Sequence, residues 1–254
     1  MRSSGRRGPF ILTDEEVEAS PSRVDGVSAS DEGMLRVYGC ECVQAAGMLL
    51  RLPQQVCATA QVMFQRFYCK RSFVLFKADF VAMAALWLAS KLDECPRALR
   101  DVLQVFYRLD RRRRGLTLVP LDFAGPLYAK WRGKVIVAER FMLREFGFAI
   151  DIEHPHKAVL VVLSPQVLNA SGPMVQAAFS YLNDSLRTTA CVRFAPEAMA
   201  CAAIRMAARR VGEALPPSWW RMFDGAAVTE AGMDAIQALI EDLYRMPKAH
   251  AVVS

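Results

Sequence analysis

Two ionisable side chains stand among apolar neighbours in this sequence. Lys91 closes the helix-compatible segment ALWLASKLDE (85–94), on the line set by Phe80, Ala84, Trp87 and Leu88 at steps of three and four. Glu139 lies in KVIVAERFMLREFGF (134–148), with Val135 and Ile136 one turn before it and Met142 and Leu143 one turn after. An unpaired charge facing a core is costly. Two chemistries account for such residues. They form an intrachain salt bridge between two packed helices, or they are polar anchors in an otherwise apolar surface that receives a partner. The pattern alone leaves both open.

Other constellations carry less. Seven cysteines (40, 42, 57, 69, 95, 191 and 201) include no CxxC pair, which reads as small buried hydrophobes in a reducing compartment. His154 and His156 flank Pro155 without a third ligand nearby, so they are expected to fix a linker and not to hold a metal. Asp184 and Ser185 have neither a catalytic histidine nor a glycine elbow beside them. Arg111–Arg114 reads as a solvated loop without the interleaved aromatics that stack on bases. Trp219 and Trp220 suit the packing of a short helix. With no phosphate-cradling GxxxxGK[ST] and no HExxH, neither a cofactor nor a metal is expected.

The elements that position these residues are helical. The chain has 254 residues and is 53% hydrophobic with few Gly and Pro, and strand-like alternation is hard to find. Its formal charge of +6 permits contact with nucleic acid or an acidic partner without demanding it. The apolar runs near 80–90 and 158–163 are too short to span a bilayer, and no membrane association is expected. Residues 1–33 are polar and aperiodic and read as a disordered tail. Helices are expected from residue 34, then from Pro53, over 77–93, 97–109 and 127–146, the last stopping at Gly147. After DIEHPH (151–156) the pattern restarts, with helices near 156–168, 174–187, 196–211, 218–223 and 229–246 and a short tail over 247–254.

An internal repeat organises this list. AALWLASK (84–91) aligns with AAIRMAAR (202–209), and each is the third helix of a set of five. A helix apolar on nearly all sides belongs at the centre of a bundle. The expectation is an all-α chain of two tandem five-helix repeats, 34–150 and 151–246.

Several motifs in order resemble one family. LASKLDE and AERFMLREFGF are similar to the third and fifth helices of the cyclin box. HPHK (154–157), NDSLRTT (183–189) and VRFAPEAMACAAI (192–204) are similar to the second repeat of transcriptional cyclins, most of all the L-type, as is LPQQVCATAQVMFQRFYCKRSF (52–73) in the first. The resemblance implies a cyclin fold. It also implies a non-catalytic regulatory subunit that binds a cyclin-dependent kinase catalytic subunit and packs against its αC helix. On this reading Lys91 and Glu139 flank the kinase groove, Leu92, Leu143 and Phe148 supply apolar contact, and Glu94 sits on the rim. The resemblance further implies a nuclear role in RNA polymerase II transcription and pre-mRNA splicing, with transcription or splicing factors as further partners and weak nucleic-acid binding at most. The MRAIL-type helix of cell-cycle cyclins and an arginine/serine-rich segment are not found in the sequence. The competing class is a DNA-binding initiation factor of the B type, which also carries two cyclin-like repeats. A scaffold cyclin with a pseudokinase partner is a third.

Overall fold

In the computed structural model, the described residues are 11–148, 150–223, 227–247 and 249. Among them all regular structure is helical. In chain order the elements are α1 (Asp14–Glu18), α2 (Pro21–Val24), α3 (Ala29–Leu49), α4 (Gln54–Phe67), α5 (Ala78–Leu92), α6 (Leu99–Arg113) and α7 (Pro126–Glu145). They continue as α8 (His156–Leu163), α9 (Gly172–Ser185), α10 (Ala190–Arg193), α11 (Pro196–Val211), a 3-10 turn (Trp219–Met222) and α12 (Glu230–Arg245). The chain divides into two compact units. One is built mainly from Val17–Ile152, and the other from Met1–Glu16 with Glu153–Pro247.

In the first unit α5 packs against α3, α4, α6 and α7. From Val81 to Ser90 every residue of α5 except Trp87 is buried. Its alanines, Ala82, Ala84, Ala85 and Ala89, let four helices approach one axis. Helix α3 meets α4 through glycine notches: a Cβ on Gly39 would lie 2.0 Å from Phe64 Cζ, and one on Gly47 would lie 2.2 Å from Cys57 Sγ. Phe64, Phe67, Tyr68 and Phe73 complete the core beside them, with Tyr68 stacked on Phe73 at 3.5 Å. In the second unit α11 holds the same position, touching α8, α9, α10 and α12, with Ala198–Ile204 buried throughout. The expected central helix is therefore present in both units, although the short α2 and α10 make it the fourth helix and not the third. Between α11 and α12, where a further helix is expected near 218–223, there is only the 3-10 turn, with Trp219 buried.

The polar N-terminal stretch departs from expectation. Residues 1–10 lie outside the described residues, but residues 14–33 are not a structureless tail. Ser20 caps α2 and donates its hydroxyl to Glu32 Oε2 at 2.7 Å. Ser22 is fully buried and accepts from Phe73 N at 3.1 Å. Glu32 is bound in turn by Arg23 and by Arg36, whose guanidinium also donates to Gln65 Oε1 at 2.9 Å and Tyr68 O at 3.1 Å. These serines and the glutamate are polar because they are bonded inside the unit, not because they are solvated. In the second unit, Leu12 N donates to Val192 O and Asp14 pairs with Arg193 at 2.6 Å. The expected C-terminal tail, 247–254, lies outside the described residues apart from 247 and 249.

Candidate functional site

The site begins where α5 runs out of core. Phe80 and Trp87 are half-buried, and Lys91, the next residue on that edge, is exposed, with 38% of its side chain open. Lys91 therefore does not face the core. The Phe80–Trp87–Lys91 line is the edge on which α5 reaches the surface, while Ala84 and Leu88 just beside it stay buried. The Lys91 ammonium lies 3.7 Å from the centroid of the Trp87 ring and donates to Glu139 Oε1 on α7. The indole contributes a cation–π attraction and the carboxylate a charge-assisted hydrogen bond. Glu139 is the buried partner, with its side chain 12% exposed.

The surroundings hold this pair rigidly. Trp87 Nε1 donates to Arg97 O at 3.2 Å. Arg97 in turn donates to Leu50 O at 3.2 Å and Arg51 O at 3.3 Å, tying the end of α5 to the α3–α4 turn. Helix α5 then stops: Asp93 N bonds back to Ala89 O, and Cys95 N to Ser90 O. Between them Glu94 takes φ +54° and is exposed. Helix α7 ends in the same manner, with Gly147 N bonding to Arg144 O, Phe148 N to Leu143 O, and φ of +57° and +60° at the two residues. Glycine is at home there; phenylalanine is not, and a left-handed non-glycine residue costs on the order of 1 kcal/mol. Phe148 is nonetheless 71% exposed.

Of the six residues expected to meet a partner, the structure brings Lys91 and Glu139 into direct contact. Leu92 and Glu94 follow Lys91 at the end of α5, Leu143 lies one turn beyond Glu139 on α7, and Phe148 stands in the turn that closes α7. Leu92 and Leu143 are half-buried. The two open alternatives of the sequence are thus partly resolved: the internal salt bridge exists, and it exists at a surface edge. Sequence reasoning passed over the roles of Trp87 and Arg97. A tryptophan one turn before a terminal lysine was the available signal.

The remaining candidates have structural partners. Arg111, Arg112 and Arg113 are the last turn of α6, not loop. Arg113 lies 4.6 Å over the Tyr38 ring and donates to Cys42 Sγ, Arg111 donates to Thr117 O, and Arg114 pairs with Asp110 at 2.8 Å. Burial pushes the Cys42 thiol up to about 11 and that of Cys57 to about 11, so both are protonated at neutral pH. Ser185 is buried and donates to Leu182 O, while Asp184 accepts from Tyr244 and Arg187. His156 bonds Asn183 Oδ1 at 3.1 Å. Among the described residues no three His, Cys, Asp or Glu side chains are grouped as a metal site, and no helix is long and apolar enough to cross a membrane.

Comparison with known proteins bears on the fold and its relatives. Residues 35–151 match the family model "Cyclin, N-terminal domain". Cyclin-L1-1 of Oryza sativa subsp. japonica is 44% identical over 246 residues, covering 96% of this chain and 56% of the relative. Cyclin-L2 of Homo sapiens is 42% identical over 240 residues, covering 94% of this chain and 45% of the relative. The chain thus spans about half the length of the curated relatives it matches. Among solved structures, a chain of the yeast RNA Pol II CTD kinase CTDK-1 complex shares the fold with a TM-score of 0.76 at 14% identity, over 92% of this chain and 73% of that one. A chain of the CAK complex from Chaetomium thermophilum shares it with a TM-score of 0.62 at 18% identity, over 94% and 77%. Residues 35–151 thus match the cyclin N-terminal domain, and the relatives that the chain resembles in sequence are L-type cyclins.

Proposed function

We propose that this chain is the regulatory subunit of a cyclin-dependent serine/threonine kinase, and that the Lys91–Glu139 edge receives the kinase. The observation that carries the proposal is the pairing of a buried carboxylate with a surface ammonium between α5 and α7, together with a strained and exposed Phe148 in the turn that closes α7. Stability alone does not call for a large aromatic held exposed in the left-handed region at the end of α7. The relatives and the solved neighbours support the same reading, since one of the latter is a chain of a CTD kinase complex.

The mechanism on this reading is a shift of population. The cyclin binds one state of a two-state kinase, with its αC helix packed inward, and lends that state binding energy without supplying a catalytic group. Phe148, Leu92 and Leu143 exclude water from the contact while Lys91 and Glu139 fix its register by hydrogen bonding to partner backbone. The interface for such a task is on the order of 2,000 Å² or more in total. A nuclear role in RNA polymerase II transcription and pre-mRNA splicing, with transcription or splicing factors as further partners, is the finer part of the proposal and rests on the likeness to L-type cyclins. The rival DNA-binding reading loses support from the second unit, where Arg205 is paired with Asp234 at 2.7 Å and Arg209 with Gln237 at 2.9 Å.

The test is affinity capture from nuclear extract with identification of the bound kinase, repeated with Lys91→Ala and Glu139→Ala. Both variants are expected to lose the kinase while keeping wild-type helicity. Capture of the kinase by both would remove the groove assignment. Tight sequence-specific DNA binding at about 0.15 M salt would favour the initiation-factor class instead.

A further inference from the structure

Helix α7 has a face that neither the core nor the Lys91–Glu139 edge uses. Val135, Ala138 and Met142 are buried against the unit, and Glu139 and Leu143 belong to the edge. On the remaining face Lys130, Lys134, Val137, Arg140 and Arg144 follow one another at steps of three and four, and all five are exposed. A Cβ on Gly133, on the same face, would meet nothing within 4 Å. Every exposed charge of α7 is a cation, because its two acids are withdrawn. Glu139 is buried against Lys91, and Glu145 is half-buried and held by Arg71 at 2.6 Å and Arg144 at 3.4 Å. Lys130, Lys134 and Arg140 enter no ion pair among the described residues; Lys134 overhangs Phe80 at 4.8 Å. Asp122 precedes the helix, and its carboxylate accepts from Ala124 N. The arginine end of α6 borders the start of α7: Tyr107 meets Trp131 at 5.9 Å, and Arg111 lies over Tyr107 at 5.6 Å.

We propose that this face binds the phosphate backbone of single-stranded RNA without reading its sequence. Charge complementarity names the occupant. Lys130 and Arg144 stand about 21 Å apart along the axis, at about 1.5 Å per residue, and a strand offers a phosphate at every nucleotide along such a line. An acidic protein partner fits less well. Protein interfaces bury an apolar centre, whereas nucleic-acid interfaces are more polar and more positive. The middle of this line offers Val137, in a groove of about 230 Å³ with Arg140, Phe141 and Arg144, smaller than the roughly 300–1,000 Å³ of sites that enclose a ligand. A duplex presents two backbones across a groove about 12 Å wide, and α7 offers one line of cations. Bases are not read, because Phe141 is half-buried, with Arg144 at 4.6 Å and Arg71 at 5.5 Å from its ring, and leaves no platform for stacking. Contacts to phosphate alone keep the binding weak and salt-sensitive. The choice of RNA over single-stranded DNA rests on the transcription and splicing role proposed above.

The test is fluorescence anisotropy of a labelled single-stranded RNA of about twenty nucleotides with the whole chain, across a salt series. Log affinity is expected to fall with log salt at a slope of about −2.8, about −0.7 for each of four phosphate contacts. The Lys130→Ala/Lys134→Ala double variant, checked for helicity, is expected to weaken binding about tenfold at about 0.05 M salt and to flatten the slope by about 1.4. Uridine and adenosine tracts are expected to bind alike. Kinase capture by the double variant is expected to be unchanged, which separates this face from the Lys91–Glu139 edge. No binding at about 0.05 M salt, a slope that the double variant does not move, or a preference above about tenfold for one tract would each overturn the proposal. So would displacement of the RNA by polyglutamate, by duplex DNA or by single-stranded DNA at a lower concentration than by unlabelled RNA. Any of these results with the kinase still captured by the wild-type chain removes this face alone and leaves the proposed function standing.

Discussion

Lys91 and Glu139 form one ion pair from unequal positions: 38% of the lysine side chain is exposed but only 12% of the glutamate. The two halves of the pair therefore do not depend on each other equally. Removing the lysine leaves a largely buried carboxylate without its cation, whereas removing the charge of the glutamate leaves an ammonium that water and the Trp87 face still solvate. Lys91→Met should cost about 1–3 kcal/mol and Glu139→Gln less than about 0.5 kcal/mol. The double variant should recover most of the loss of Lys91→Met. Urea midpoints of the three variants decide it, and equal costs for the two single changes would mean that the carboxylate is better hydrated than its burial indicates.

Trp87 links the pair to the scaffold. Its ring lies under Lys91, and its Nε1 reaches Arg97, which holds the α3–α4 turn. Trp87→Leu keeps an apolar residue on the edge but loses the cation–π contact and that hydrogen bond. The expected cost is about 2 kcal/mol in stability. Kinase capture should weaken as well, because Lys91 is no longer held over a ring. Full capture at wild-type affinity would show that Lys91 needs no such support.

What the sequence disclosed depended on how local the deciding interactions were. The central helices α5 and α11, the stop at Gly147 and the burial of Glu139 follow from periodicity and cap chemistry within one or two turns, and all were legible. The exposure of Lys91 was left open. A helical wheel places Lys91 on a line with Trp87 and Leu88, but only the packing of α7 decides which side of that line meets solvent. The end of α6 was misread because four arginines resemble a solvated loop, whereas Arg113 finds Tyr38 and Cys42 on α3, far back in the chain. The N-terminal stretch was misread for the same reason. Ser20, Ser22 and Glu32 are polar in composition, and the groups that bury them come from Arg36, Gln65 and Phe73.

That buried network yields its own prediction. Arg36 is 4% exposed and binds Glu32 at 2.7 Å while donating to Gln65 and to Tyr68 O. Arg36→Met removes the more buried of the two cations on a carboxylate that is itself 3% exposed and leaves only Arg23, at 3.2 Å. Breaking one side of such a pair costs about 3–5 kcal/mol, so this substitution should destabilise the chain more than any change at the Lys91–Glu139 edge. Paired Arg36→Met/Glu32→Met should be less harmful than Arg36→Met alone. Chemical denaturation of the single and double variants measures the difference, and an additive result would show that the two charges are not coupled.

Asp79 gives a prediction in pH. Burial raises its carboxyl above the ordinary value of 3.8, and this outweighs the hydrogen bond from Tyr38 and the charges of Arg113 and Arg114, which pull it down. Between 3.8 and that raised value the folded chain holds the proton more often than the unfolded chain. Stability contributed by this group is therefore present in acid and is lost as pH rises through the window, the reverse of a salt-bridged carboxylate. Asp79→Asn keeps an oxygen to accept from the Tyr38 hydroxyl and removes the titration. The difference in urea midpoint, variant minus wild type, should grow in favour of the variant as pH climbs from below 3.8 toward neutrality and then level off. A difference that is flat with pH, or that falls, would mean that the cationic arginines and Tyr38 outweigh burial at this carboxylate.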